Sequence, residues 1–104
     1  MSTAADVDRF YRHLLAGDLL PLKLVHSMAR PTGTIPFGIG QYGLGLWIWP
    51  VRSGDGIDHS GSGYGFATKA WTVPTKHRSV VVLVNQSDNL DHVSAGIADN
   101  ALCS

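Results

Sequence analysis

Most of the chain's twelve glycines lie between Gly33 and Gly65, and no other feature restricts the backbone as strongly. From Arg30 to Gln41 these glycines stand among Pro and Thr, which is loop composition. Tyr42, Leu44, Leu46 and Ile48 then alternate with Gly43, Gly45, Trp47 and Trp49. The alternation predicts a strand with glycines on one face, where something can approach closely. Arg52 to Gly56 reads as a turn, Ile57 to Gly61 as a short strand, and Gly65 to Val73 as another.

Helices flank this middle third. Thr3 is a good N-cap, with Asp6 three residues on, near the positive end of the helix dipole. Val7, Phe10, Tyr11, Leu14 and Leu15 form one apolar stripe at helical spacing, and Gly17 is a stop signal. Pro21, favoured at a first helical position, opens a second helix to about Met28 with Leu22, Val25 and Met28 inward. After a polar turn from Pro74 to Arg78, Ser79 to Asn85 is an unbroken β-branched run that predicts a buried, central strand. A last helix is expected from about Asp88 to Leu102, capped by Asp88 or Asn89, with Leu90, Val93, Ile97 and Ala101 on one face. Helix, helix, four strands and helix, joined by short connections, make an α+β fold: an antiparallel sheet flanked by helices.

Charge and composition exclude several functions. Eight basic residues balance eight acidic ones, so no net field favours nucleic acid or an anionic membrane. The longest aliphatic run, Val80 to Val84, is far too short to span a bilayer. The N-terminus has no apolar signal segment. A single cysteine, Cys103, excludes an internal disulfide framework and a multi-cysteine metal site. His13, His26, His59, His77 and His92 show no metal-binding spacing. Gly38-x-Gly40-x-x-Gly43 matches a dinucleotide fingerprint only as a string, since it follows a loop and precedes a strand. No serine lies in Gly-x-Ser-x-Gly. Lys76, His77 and Arg78 read as a solvated turn.

What remains is Asp58-His59-Ser60-Gly61-Ser62-Gly63-Tyr64-Gly65-Phe66. On chemistry alone it is a strand with a polar face. Its surroundings, however, resemble the penicillin-recognising serine hydrolases: the D-alanyl-D-alanine carboxypeptidases, class C β-lactamases and related esterases. Tyr42-Gly43-Leu44-Gly45-Leu46 is similar to the strand upstream of that family's third active-site motif. His59-Ser60-Gly61 resembles the motif's His-Thr-Gly form, and Gly65-Phe66 matches the Gly and aromatic that follow. Ser79 to Asn85 resembles the next sheet strand, and Ser2 to Phe10 the opening of a family helix. The resemblance covers nearly all of residues 1–104. It implies part of a β-lactamase/DD-peptidase-like fold, with His59, Ser60, Gly61 and Ser62 lining a substrate cleft. It implies that His59 helps bind a substrate carboxylate and that Ser60 offers it a hydroxyl. Gly61 would let the substrate backbone come close, and the Ser62 N–H would stand as an oxyanion donor.

The departures matter equally. The family nucleophile lies in Ser-x-x-Lys, and no serine here has Lys three places on. The closest approach is Ser27-Met28-Ala29-Arg30, and arginine stays protonated. Tyr-x-Asn and Tyr-x-Ser are missing as well. The chain thus resembles the C-terminal portion of a longer protein, as a truncated or split gene would read, with no nucleophile or metal site of its own and no cofactor implied. Expected partners are a peptide or β-lactam substrate in the intact protein and an N-terminal half carrying the nucleophile. Family members are usually exported. A non-catalytic docking subunit and a small α+β binding module remain open. Relatives also pair a cysteine near the C-terminus with one just before the third-motif strand. The matching position here is Ser53, so Cys103 is expected as a free thiol, either a small hydrophobe or the survivor of a lost bridge.

Overall fold

The computed structural model describes residues 1–34, 40–86 and 91–104, with side chains described outside 91–94. Helix α1, Ala4–Ala16, begins where expected: the Thr3 hydroxyl accepts the Asp6 N–H at 3.1 Å. It stops at Gly17, whose φ of 85° turns its N–H back onto His13 and Leu14. Helix α2 is Leu22–Met28, with Val25 buried and Leu22 exposed. Six strands follow in a fully antiparallel meander: β1 Gly33–Thr34, β2 Gln41–Tyr42, β3 Trp47–Val51, β4 Gly54–Gly63, β5 Phe66–Val73 and β6 Arg78–Val84. Helix α3, Asp91–Cys103, closes the described chain. No described helix is long and apolar enough to cross a membrane.

The α+β fold with an antiparallel sheet flanked by helices is as expected, but four strands have become six. The segment from Tyr42 to Trp49 is two strands, not one. It reverses at Gly43–Leu46, where the Gly43 N–H reaches the Leu46 carbonyl at 2.8 Å and Gly45 has φ 76°. The close approach predicted at the glycines is real at Gly43. A Cβ there would fall 2.0 Å from the Met28 carbonyl oxygen, which instead accepts the Leu44 N–H at 2.9 Å. This seats the β2–β3 hairpin on the end of α2. The expected loop contains β1, paired with β2. Gly38 of the rejected dinucleotide string, and the expected caps Asp88 and Asn89, lie outside the described residues.

Helices cover both faces of the sheet. Leu46, Ile48 and Ile57 pack with Tyr11, Leu15, Met28 and Ala29 on the α1–α2 side. Trp71 and Val73 pack with Ala98 and Leu102 of α3 on the other. This corrects the face expected for α3: Ile97 is half exposed, while Ala98 and Leu102 are buried. Alanine lets the helix approach the large Trp71 ring, so the small residues face inward. Leu90 and the Val93 side chain lie outside the described residues. A second correction concerns Ser79 to Asn85. As β6 it is the end strand of the sheet among the described residues, not a central one. Its β-branched run records partial burial of both faces, against α1 and α3. Burial of faces leaves the strand edge unconstrained.

Candidate functional site

His59, Ser60, Gly61 and Ser62 all lie on β4. The strand is held on one side by β5 along Ile57–Gly63. On its other side β3 pairs only as far as Trp47↔Asp58. From His59 onward that edge carries no described strand. A two-residue hairpin, Tyr64–Gly65 with φ 52° and 82°, joins β4 to β5, and both positive values define a type I′ turn. Its closing pair, Gly63↔Phe66, is the hydrogen-bonded kind, so the ladder alternates from there. Gly61 therefore faces β5, and its carbonyl also accepts the Thr68 hydroxyl at 3.3 Å. The N–H and C=O groups of Ser60 and Ser62 turn toward the open edge.

Side chains alternate as well. His59 and Gly61 share the α1 face with Ile57, while Ser60 and Ser62 share the α3 face with Asp58. The His59 ring packs beside two aromatics, 4.9 Å between centroids from Trp47 at a 31° tilt and 6.4 Å from Tyr42 at 72°. Its Nδ1 is 2.8 Å from the Ser60 carbonyl oxygen. A groove of about 380 Å³ runs past His59, Ser60 and Gly61 and is walled by Tyr11, Thr68 and Lys69. A second cavity, about 370 Å³ near Arg12, His77 and Arg78, contains none of the four motif residues.

Three neighbouring residues, Asp58, Tyr11 and Lys69, carry chemistry that the sequence did not assign to them. Asp58 is 1% exposed, and neither carboxylate oxygen has a hydrogen-bond partner among the described residues. Burial pushes its carboxyl up to about 6, against the opposing pull of the Trp71 indole N–H, Lys69 and His59. That indole lies near enough to favour the carboxylate without making a hydrogen bond of ordinary geometry. Burial, and then Asp58, likewise raise the Tyr11 hydroxyl above its ordinary range. The signal for Asp58 is its register, directly between Trp47 and Trp71 on one face. Lys69 is the direct cross-strand partner of Ser60, but its ammonium sits 5.5 Å over the Trp71 ring. No hydrogen bond joins Ser60 to Lys69 among the described residues. No cluster of metal-ligating side chains occurs among them either.

Cys103 is a free thiol. Its Sγ touches the Ser53 hydroxyl and lies 3.5 Å from an Asp99 carboxylate oxygen. Ser53 and Cys103 are therefore juxtaposed, as a lost bridge requires. Beside them Arg52 pairs with Asp99 at 2.6 Å and with the Asn100 side chain at 3.0 Å, fixing the β3–β4 turn to α3.

The beta-lactamase family model matches residues 1–102, and the chain belongs to that family, a serine-hydrolase type. Its structure is similar to the crystal structure of a penicillin binding protein from Bacillus halodurans, with a TM-score of 0.77 and 26% identity. The match covers 91% of this chain and 30% of that one, so the chain spans under a third of the relative's length. A search of curated proteins finds no match.

Proposed function

We propose that this chain forms the third-motif wall of a serine hydrolase acting on D-Ala-D-Ala peptides, β-lactams or related esters and amides. The observation that carries it is the open stretch of β4, where His59-Ser60-Gly61 stands with the Ser60 and Ser62 backbone groups unpaired by a strand. In the proposed reaction a serine on another polypeptide segment attacks the substrate carbonyl and forms an acyl-enzyme, which water resolves. His59 and Ser60 hold the substrate carboxylate, and Gly61 gives its backbone room. The Ser62 N–H, turned to the open edge, donates to the developing oxyanion. Loss of one such donor costs roughly 10²–10³ in rate.

The chain's own serines have no Ser-x-x-Lys lysine, so we assign the nucleophile to a partner segment carrying Ser-x-x-Lys and Tyr-x-Asn. Fluorescent penicillin tests this. The chain alone should take no boil-resistant label. A separately made polypeptide with both missing motifs should be labelled more strongly when this chain is added. Stoichiometric labelling of Ser27, Ser60 or Ser62 in the isolated chain would overturn the assignment. A second reading, a non-catalytic docking module, is favoured by the open β4 and β6 edges. It predicts association with such a polypeptide without any gain in labelling.

A further inference from the structure

The His59 side chain is held in a way that decides which of its nitrogens is free. A carbonyl oxygen can only accept, so the 2.8 Å contact from Nδ1 to the Ser60 oxygen requires the proton on Nδ1. That carbonyl faces the open edge and pairs with no strand among the described residues, so the ring takes it. The β4 edge supplies no neighbouring strand to hold the ring, so lateral support comes from elsewhere. Trp47 is the last β3 residue paired with β4, and its indole lies 4.9 Å from the imidazole at a shallow tilt. Tyr42, set edge-on to both rings, backs the pair at 6.4 Å from each.

We propose that Trp47 is a positioning residue that, with the Ser60 carbonyl, locks neutral His59 in its Nδ1–H tautomer and leaves Nε2 as a hydrogen-bond acceptor. The chemical consequence reaches the site described above. A neutral ring in this tautomer has no proton left to give a carboxylate. It instead suits a hydroxyl or ammonium donor on the bound molecule. Only the doubly protonated ring offers a carboxylate an N–H at Nε2. This consequence rests on the proposed cleft; the tautomer does not.

The test contains no substrate, so its result is independent of whether the chain belongs to a D-Ala-D-Ala hydrolase. Long-range proton–nitrogen NMR spectra of the uniformly ¹⁵N-labelled full chain, in alkaline buffer, distinguish the two ring nitrogens, and His59→Gln assigns the signal. His59 should show a pyrrole-type Nδ1 and a pyridine-type Nε2, the reverse of free histidine. In Trp47→Leu the signal should shift to mostly Nε2–H, while Trp47→Phe, which keeps a ring against the imidazole, should retain the wild-type pattern. A wild-type His59 that is mainly Nε2–H would overturn the proposal, as would an unchanged tautomer in a folded Trp47→Leu. Should Trp47→Leu fail to fold, Trp47→Met, which keeps bulk without a flat ring, takes its place, and an unchanged tautomer there overturns the role of Trp47.

Discussion

Asp58 shows how one side chain can govern the pH response of the fold. The unfolded chain gives up this proton near 3.8 and the folded chain near 6. Between those values folding binds a proton, so the stability present below about pH 4 is lost as pH rises through 6 and is flat above. Two pH units correspond to roughly 3 kcal/mol. Asp58→Asn, which cannot ionise, should remove that slope and be the more stable form at pH 7. Urea unfolding of both proteins at pH 4, 5, 6 and 7 reads the difference, and a wild-type-to-variant gap independent of pH would refute it. A second residue-scale prediction concerns Ser53. Its contact with Cys103 across 50 positions means that Ser53→Cys should oxidise to a bridge and add about 2–4 kcal/mol. Thiol titration and melting with and without reductant check it. Position 53 was legible through family resemblance. Asp58 was not, because its burial depends on two tryptophans that only the register of three strands brings alongside it.

Among the elements, the helix ends were the most legible. Thr3 and Gly17 act through local geometry, which a sequence records directly. The β2–β3 hairpin was misread because Tyr42 to Trp49 has strand-like alternation on both sides of its turn. The reversal is enforced by Gly43 against α2, a tertiary contact. Gly43→Ala would drive its Cβ into the Met28 carbonyl, and backbone cannot yield as a side-chain tip can. It should cost about 3 kcal/mol. Gly33→Ala, with nothing within 4 Å of the added atom, should stay within about 0.5 kcal/mol of wild type. Thermal or urea unfolding of the pair gives the comparison, and equal effects would show that the hairpin does not depend on that approach. The α3 face was misassigned for a related reason: periodicity favours the larger Ile97, whereas packing selects Ala98 for closeness.

For the molecule as a whole, the sheet ends are the governing feature. β6 runs from Arg78 to Val84 with no proline or inward charge, and Leu83 is 47% exposed. Such an edge is a template for pairing with another chain. The purified protein should therefore self-associate as concentration rises, and Leu83→Lys should shift it toward monomer in light scattering. A wild-type protein that stays monomeric at high concentration would remove this expectation. The motif, the family and the helix-flanked sheet could be read in the sequence. The same end-to-end view gives β4 a mechanical character. Its root, at Arg52 and Ser53, is clamped to α3 by the Asp99, Asn100 and Cys103 contacts, while its tip at Tyr64 is wholly exposed. Gly54 to Asp58 are paired with β3, and beyond them the strand is propped by β5 along one flank only. β4 is thus built like a cantilever, fixed at the turn and bare along one flank beyond Asp58. His59 to Ser62 lie beyond the β3 pairing, so the four motif residues sit outboard of the clamp on a span braced by β5 alone.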